Sequence, residues 1–355
     1  MRADYLIVGQ GIAGSVLAWT LHRQGKEVLL VGDSRGHSSS LAAGGVFNPL
    51  TGKKLVRTWK ADQLFPFLRT FYRQLETELA VSFVHETDVY RPYRSIEEQN
   101  SYLATTAEPG FAQFVSTVSD DEHYSPYIHN PFGGLTVTQA GWIDTGIMLR
   151  AIRQYFQGLG RYVEQPMDYE TLKPEPEGVQ WEGRHFRKVI FCEGPEGNKR
   201  NPYFHWLPYN PVKGQVLEVE IRDYPIRSIV NQGIFILPYQ ENICRVGATY
   251  TWHDLDWQTT EDGKRFLEEK LSTLLKVPYR IVNQWAGIRP ATKDRRPLIG
   301  LHPDHPAIGI FNGLGAKGVS LAPYFADEFA GFLDGRKDLS AEVNISRCFS
   351  LYYHY

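Results

Sequence analysis

Four apolar residues in a row, Tyr5-Leu6-Ile7-Val8, run into Gly9-Gln10-Gly11-Ile12-Ala13-Gly14, after which Val16, Leu17 and Leu21 recur at helical spacing up to Gln24. The unbroken run predicts a buried strand, and the change of period predicts a helix. Val28 to Val31 is the next apolar run, so the chain opens with a βαβ unit. From Lys60 to about Ala80, Leu64, Phe67, Leu68, Phe71, Tyr72 and Leu75 form one helical stripe. Residues 81 to 137 alternate short apolar runs with polar, proline-containing connections, which predicts strands and small helices. Gly141 to Thr145 introduces a helix from Gly146 to Phe156, with Asp144 or Thr145 as N-cap. Short strands follow around Val163 and Val179, then a buried-looking one, Lys188 to Cys192. Strand patterns recur at 215–221, 233–237 and 243–250, before an amphipathic helix from Glu261 to Leu275. Three further strands or strand-like turns, 285–290, 297–300 and 307–311, lead to a glycine-rich loop, Gly313 to Gly318, and a helix ending near Leu333.

This order predicts an α/β fold in which a Rossmann-like domain is interleaved with a mixed-sheet, α+β domain. The first takes residues 1–60, 138–200 and 286–355; the second takes 61–137 and 201–285. Gly9, Gly11 and Gly14 stand between a strand and a helix, where glycines allow a tight turn and close approach to a pyrophosphate. The helix N-terminus offers N–H groups to the same anion, with Ile12 and Ala13 in its first turn. The acid that closes this fingerprint on a ribose hydroxyl is missing: Gly32 stands there, and Asp33 and Ser34 follow. Either Asp33 acts from a shifted position, or backbone and water do, or Asp33 is a turn residue. Arg35 leaves a 2′-phosphate, and so an NADP-dependent dehydrogenase, open.

Composition narrows the class. The 355 residues are 42% hydrophobic and 22% charged, and 38 basic residues face 40 acidic ones. That describes a folded chain with material for two cores and no global pull toward nucleic acid or anionic lipid. Cys192, Cys244 and Cys348 are widely spaced, which argues against a disulfide framework or zinc site, and the histidines show no metal spacing. The expectation is a cytoplasmic protein that binds no metal and no membrane.

Gly141-Trp142-Ile143-Asp144, Phe191-Cys192-Glu193-Gly194, Lys213-Gly214-Gln215, Val246-Gly247-Ala248-Thr249, Gly287-Ile288-Arg289-Pro290 and the late glycine loop occur in one order along the chain. Together with the opening fingerprint, they resemble the D-amino-acid oxidase and glycine oxidase superfamily of FAD-dependent amine oxidases, from Met1 to about Asp338. Gly287 to Gly300 resembles glycine oxidase. Gly44-Gly45-Val46-Phe47-Asn48-Pro49-Leu50, Gly32 and the late loop resemble the FAD domain of the bifunctional tRNA 5-methylaminomethyl-2-thiouridine biosynthesis enzyme.

The resemblance implies non-covalent FAD, held by the opening glycine loop, by Ala43, Gly44 and Gly45, by Gly194, and by Gly313, Leu314, Gly315, Ala316, Lys317 and Gly318. It implies oxidation of the C–N bond of an amino acid or N-substituted glycine by hydride transfer to flavin. Arg289 then holds the substrate carboxylate, a task suited to a guanidinium because it stays charged and donates two parallel N–H bonds. The glycine oxidase branch has a tyrosine where this chain has Phe235, and Tyr239 or Tyr250 could supply the lost hydroxyl. Lys293, Arg295 and Arg296 leave a tRNA substrate open, though the charge balance does not favour nucleic acid. A flavin-binding protein without turnover is the remaining alternative.

Overall fold

The computed structural model describes residues 2–33, 37–118 and 120–353. Two large sheets organise the fold. In the first, Tyr162–Glu164, Val28–Gly32, Arg2–Val8, Arg184–Phe191 and Ile308–Asn312 lie side by side and parallel. Leu298–Leu301 closes one edge antiparallel to Ile308–Asn312. On its edge away from Arg2–Val8, the strand Arg184–Phe191 serves two neighbours: its first residues pair with Gly178–Trp181 and its last with Ile308–Asn312. Tyr5, Leu6 and Ile7 are fully buried, as an apolar run covered on both faces requires.

The second sheet has seven strands, in the order Arg280–Arg289, Val212–Glu220, Ile243–Gly247, Phe235–Gln240, Ile229–Asn231, Val89–Pro92 and Gly134–Val137. It is mixed, because Ile229–Asn231 and Val89–Pro92 run parallel. Arg280–Arg289 is a single ten-residue strand of this sheet, so the expected boundary at residue 286 falls inside it.

The predicted helices form at Ala61–Leu79, Thr145–Gly158, Glu261–Leu274 and Gly318–Leu333. Asp144 caps the second by accepting from the Ile147 N–H at 2.9 Å, and Thr260 caps the third. Ala61–Leu79, expected with the mixed sheet, packs on Gly318–Leu333, as does the opening helix Ile12–Arg23. Pro323 lies in the second turn of its helix, beyond the first-turn position where a missing N–H costs nothing. The freed carbonyl of Val319 accepts instead from the buried Tyr72 hydroxyl at 2.9 Å, which ties the two helices together.

Candidate active site

The parallel strands end on one side, and there the opening loop Gly9–Gly14 meets a cavity of about 890 Å³, large for a ligand pocket. It lies at the carboxyl ends of the strands and extends to the mixed sheet, with Cys192, Asn312, Phe235 and Arg289 all on its wall. Gly9 has φ +106° and its missing Cβ would overlap the Cys192 carbonyl. A Cβ on Gly14 would overlap the Gly9 carbonyl oxygen, so loop and helix are in contact at this point. The Ile12 N–H donates to Ser40 Oγ at 3.1 Å, a hydroxyl where the fingerprint places an anion.

Gly32 has a physical reason. A Cβ there would stand 2.6 Å from Gln10 Cβ and 2.9 Å from the Tyr162 hydroxyl. No carboxylate side chain fits. Gln10 is fixed by donating to the Leu149 carbonyl at 2.9 Å and by accepting from Arg153 Nε at 3.1 Å. Asp33 lines the cavity one place later. Ser34 and Arg35 lie outside the described residues.

Of the other expected cofactor residues, Gly11, Ile12, Ala13 and Gly194 line the cavity at this end. Ala43, Gly44 and Gly45 line it further along, opposite Leu314, Gly315, Ala316 and Gly318. Three expected residues do not line it. Gly14 packs against the loop, Gly313 faces Thr292 and Leu298, and Lys317 turns its Nζ to Thr58 Oγ1 at 3.2 Å. Burial, with Arg296 and Arg295 nearby, lowers the Lys317 pKa. Phe235 lies against Gly44 and Gly247, whose Cβ positions would be 3.0 and 2.9 Å from its ring tip.

Arg289 ends its strand opposite Val212 and folds back over Gly214, where any Cβ would overlap the guanidinium. Its Nη1 donates to the carbonyls of Lys213 and Thr249 at 3.4 and 3.3 Å. The Tyr250 ring, 59% exposed, covers it with Cζ 4.1 Å from the ring centre. Burial lowers the pKa of the guanidinium, and Tyr250 opposes the shift. Among the described residues no carboxylate pairs with it, whereas the adjacent Lys213, 2% exposed, is paired with Asp256. Tyr239 is engaged elsewhere, beneath Arg245 and against Trp142. In the basic cluster, Arg296 stacks on Trp59 and Lys293 on Tyr352.

A model of the family described as "FAD dependent oxidoreductase" matches residues 4–331. The chain belongs to this family. FAD, not NADP, is therefore the cofactor the family uses. Glycine oxidase of Bacillus subtilis is 26% identical to this oxidoreductase, covering 91% of each chain. The tRNA 5-methylaminomethyl-2-thiouridine biosynthesis bifunctional protein MnmC of Legionella pneumophila is 24% identical over 84% of this chain and 46% of its own length. The crystal structure of glycine oxidase from Bacillus cereus superposes with a TM-score of 0.76 at 20% identity, covering 95% of this chain and 96% of that one, a likeness of fold. The glycine cradle and long cavity of this oxidoreductase fit the family's cofactor. No helix among the described residues is long and apolar enough to cross a membrane, and none of their side chains cluster as a metal site.

Two features of the cavity were not among the expected site residues. Glu193 places its carboxylate under the short helix Glu196–Arg200, accepting from the Tyr169 hydroxyl at 2.5 Å and Asn201 Nδ2 at 2.8 Å. Burial outweighs these bonds and pushes its pKa up to about 7. The cations Lys53, Arg91 and Arg94 line the far wall.

Proposed function

We propose that this oxidoreductase oxidises the C–N bond of an amino acid or N-substituted glycine whose carboxylate is held by Arg289. The observation that carries this reading is the state of that guanidinium. It is sunk into the cavity wall over Gly214, held by two neutral carbonyls, and without an anionic partner among the described residues. A desolvated cation of this kind gains most from a planar carboxylate that takes two of its N–H groups. Tyr250 limits its swing and shields it from water, so the substrate's orientation is set when its carboxylate docks. The named relatives support the substrate class, since glycine is the simplest such amine.

Gly9 to Ala13, Asp33 and Gly194 would hold the nucleotide half of FAD, and Ala43 to Gly45 with Leu314, Gly315, Ala316 and Gly318 its ring end. Bound FAD supplies the two-electron oxidant, and the imine product hydrolyses in water. Non-covalent attachment is part of this reading: of the three cysteines Cys192 alone lines the cavity, its thiol buried and its pKa raised, and His37 on the same wall is stacked on Trp257. An amine that arrives neutral needs no protein base, and none is assigned in this reading. The parallel sheet with its glycine loops forms the cofactor-holding part, and the seven-stranded sheet forms the substrate-holding part.

The test is Arg289→Lys. A lysine keeps the charge and loses the fork, so kcat/KM for glycine or N-methylglycine should fall by about a hundredfold while the visible flavin spectrum persists. Unchanged kinetics would remove Arg289 from this role. Acid precipitation should leave the yellow cofactor in the supernatant; colour retained in the pellet would overturn non-covalent binding.

A further inference from the structure

The cavity continues well past Arg289. Its far wall carries Arg91, on the strand Val89–Pro92 and only 7% exposed. The Arg91 guanidinium donates to the carbonyls of Leu50 at 3.3 Å and Gly52 at 2.8 Å and to the Tyr102 hydroxyl at 3.1 Å, while its Nε has no partner. Among the described residues no carboxylate is in ion-pair reach. Glu98, the acid that joins this network, meets the same Tyr102 hydroxyl at 3.3 Å. A buried cation held only by neutral acceptors is costly, and an oxyanion entering from the cavity offsets that cost.

Two further cations share the wall. Arg94 and Lys53 are exposed and form no ion pair among the described residues. Arg94 Nη2 lies 3.1 Å from the position a Cβ would take at Gly233, so glycine there leaves the guanidinium its place at the wall. Three like charges around one end of a cleft raise the local concentration of anions.

Separation decides what bridges the two ends. Arg289 rests over Gly214 on Val212–Glu220, and the sheet then runs through Ile243–Gly247, Phe235–Gln240 and Ile229–Asn231 to Val89–Pro92. Four inter-strand steps of about 4.8 Å make roughly 19 Å along the sheet. Phe235 and Ile234 give the intervening wall an apolar surface. A glycine docked on Arg289 reaches only a small part of this span.

We infer that the substrate is an extended amine with two anionic ends, a carboxylate beside the reacting C–N bond at Arg289 and a distal phosphate or carboxylate at Arg91, Arg94 and Lys53. This rests on the reading of Arg289 given above. The experiment uses the FAD-loaded enzyme with two series of increasing chain length, N-(phosphonooxyalkyl)glycines and N-(carboxyalkyl)glycines, each compared with N-alkylglycines of matched length. With lengthening chain, kcat/KM should rise to at least about tenfold above the matched N-alkylglycine, and Arg91→Gln or Arg94→Gln should return that ratio toward one. The series with the larger gain identifies the distal oxyanion. A ratio near one at every length in both series, or one that survives both substitutions, overturns the inference. Arg94 is exposed, so its variant carries the test if Arg91→Gln does not fold. Turnover of N-alkylglycines without any gain sinks this inference alone, whereas no turnover of any N-substituted glycine sinks the Arg289 reading and this one with it.

Discussion

A methyl group at residue 214 would occupy the volume of the Arg289 guanidinium, so Gly214→Ala must push the side chain out of its seat. Both residues belong to the seven-stranded sheet, whereas the opening glycine loop leaves the parallel one. The variant should keep its flavin spectrum and lose about ten- to a hundredfold in kcat/KM for N-methylglycine; wild-type kinetics would show that the seat is not needed. Glu193 gives a prediction in pH. Its carboxyl has an ordinary value of 4.5 and is raised to about 7 in the folded chain. Below the first value both states are protonated and nothing is lost. Between the two, the unfolded chain releases its proton while the folded chain keeps it, so stability falls, and above the second the loss is complete. Glu193→Gln removes this titration. Its stability relative to the parent should improve from pH 4 to pH 8 by up to roughly 3 kcal/mol in denaturant titrations. A difference constant across that range would show that the carboxyl titrates normally.

Among elements, the contact between Ala61–Leu79 and Gly318–Leu333 turns on one hydroxyl. Tyr72→Phe leaves the Val319 carbonyl buried with neither a proline N–H nor a phenol to satisfy it, and should cost about 1–3 kcal/mol of stability in urea unfolding. A loss near zero would mean that water reaches the carbonyl. These helices, and the strand-loop-helix opening, were legible because each carries its own period or punctuation. Arg280–Arg289 was legible only from Trp285 onward: residues 280, 283 and 284 are polar, the first two of them exposed, so the alternation that marks a half-buried strand is missing at its start. The site divides in the same way. Glycines crowded by neighbouring backbone, such as Gly9 and Gly14, announce themselves by spacing. The reason for Gly32 depends on Gln10 and on Tyr162, 130 residues away, and no local pattern records it. Lys317 was misplaced for a related cause, since a lysine beside a glycine loop gives no sign that Thr58 will take its ammonium. Arg91 is one polar residue of a short strand, and no local pattern records that the fold encloses it.

At the scale of the molecule, one cavity is lined by segments from nearly the whole chain, so a cofactor bound there is linked to stability. Adding FAD to the stripped protein at a hundred times its dissociation constant should stabilise it by about 2.7 kcal/mol, read as a concentration-dependent rise in Tm. No rise would show that the cavity binds FAD no better than the unfolded chain does. The pairing of the first strand carries a consequence for synthesis. Arg2–Val8 leaves the ribosome before one of its flanking strands, Arg184–Phe191, which follows about 180 residues later, roughly 10–40 s at usual elongation rates. The next strand of that sheet, Ile308–Asn312, comes later still. Throughout that interval an apolar strand with an open edge is exposed to other chains. The yield of native protein should therefore depend on what shelters this early strand as much as on the stability of the finished fold.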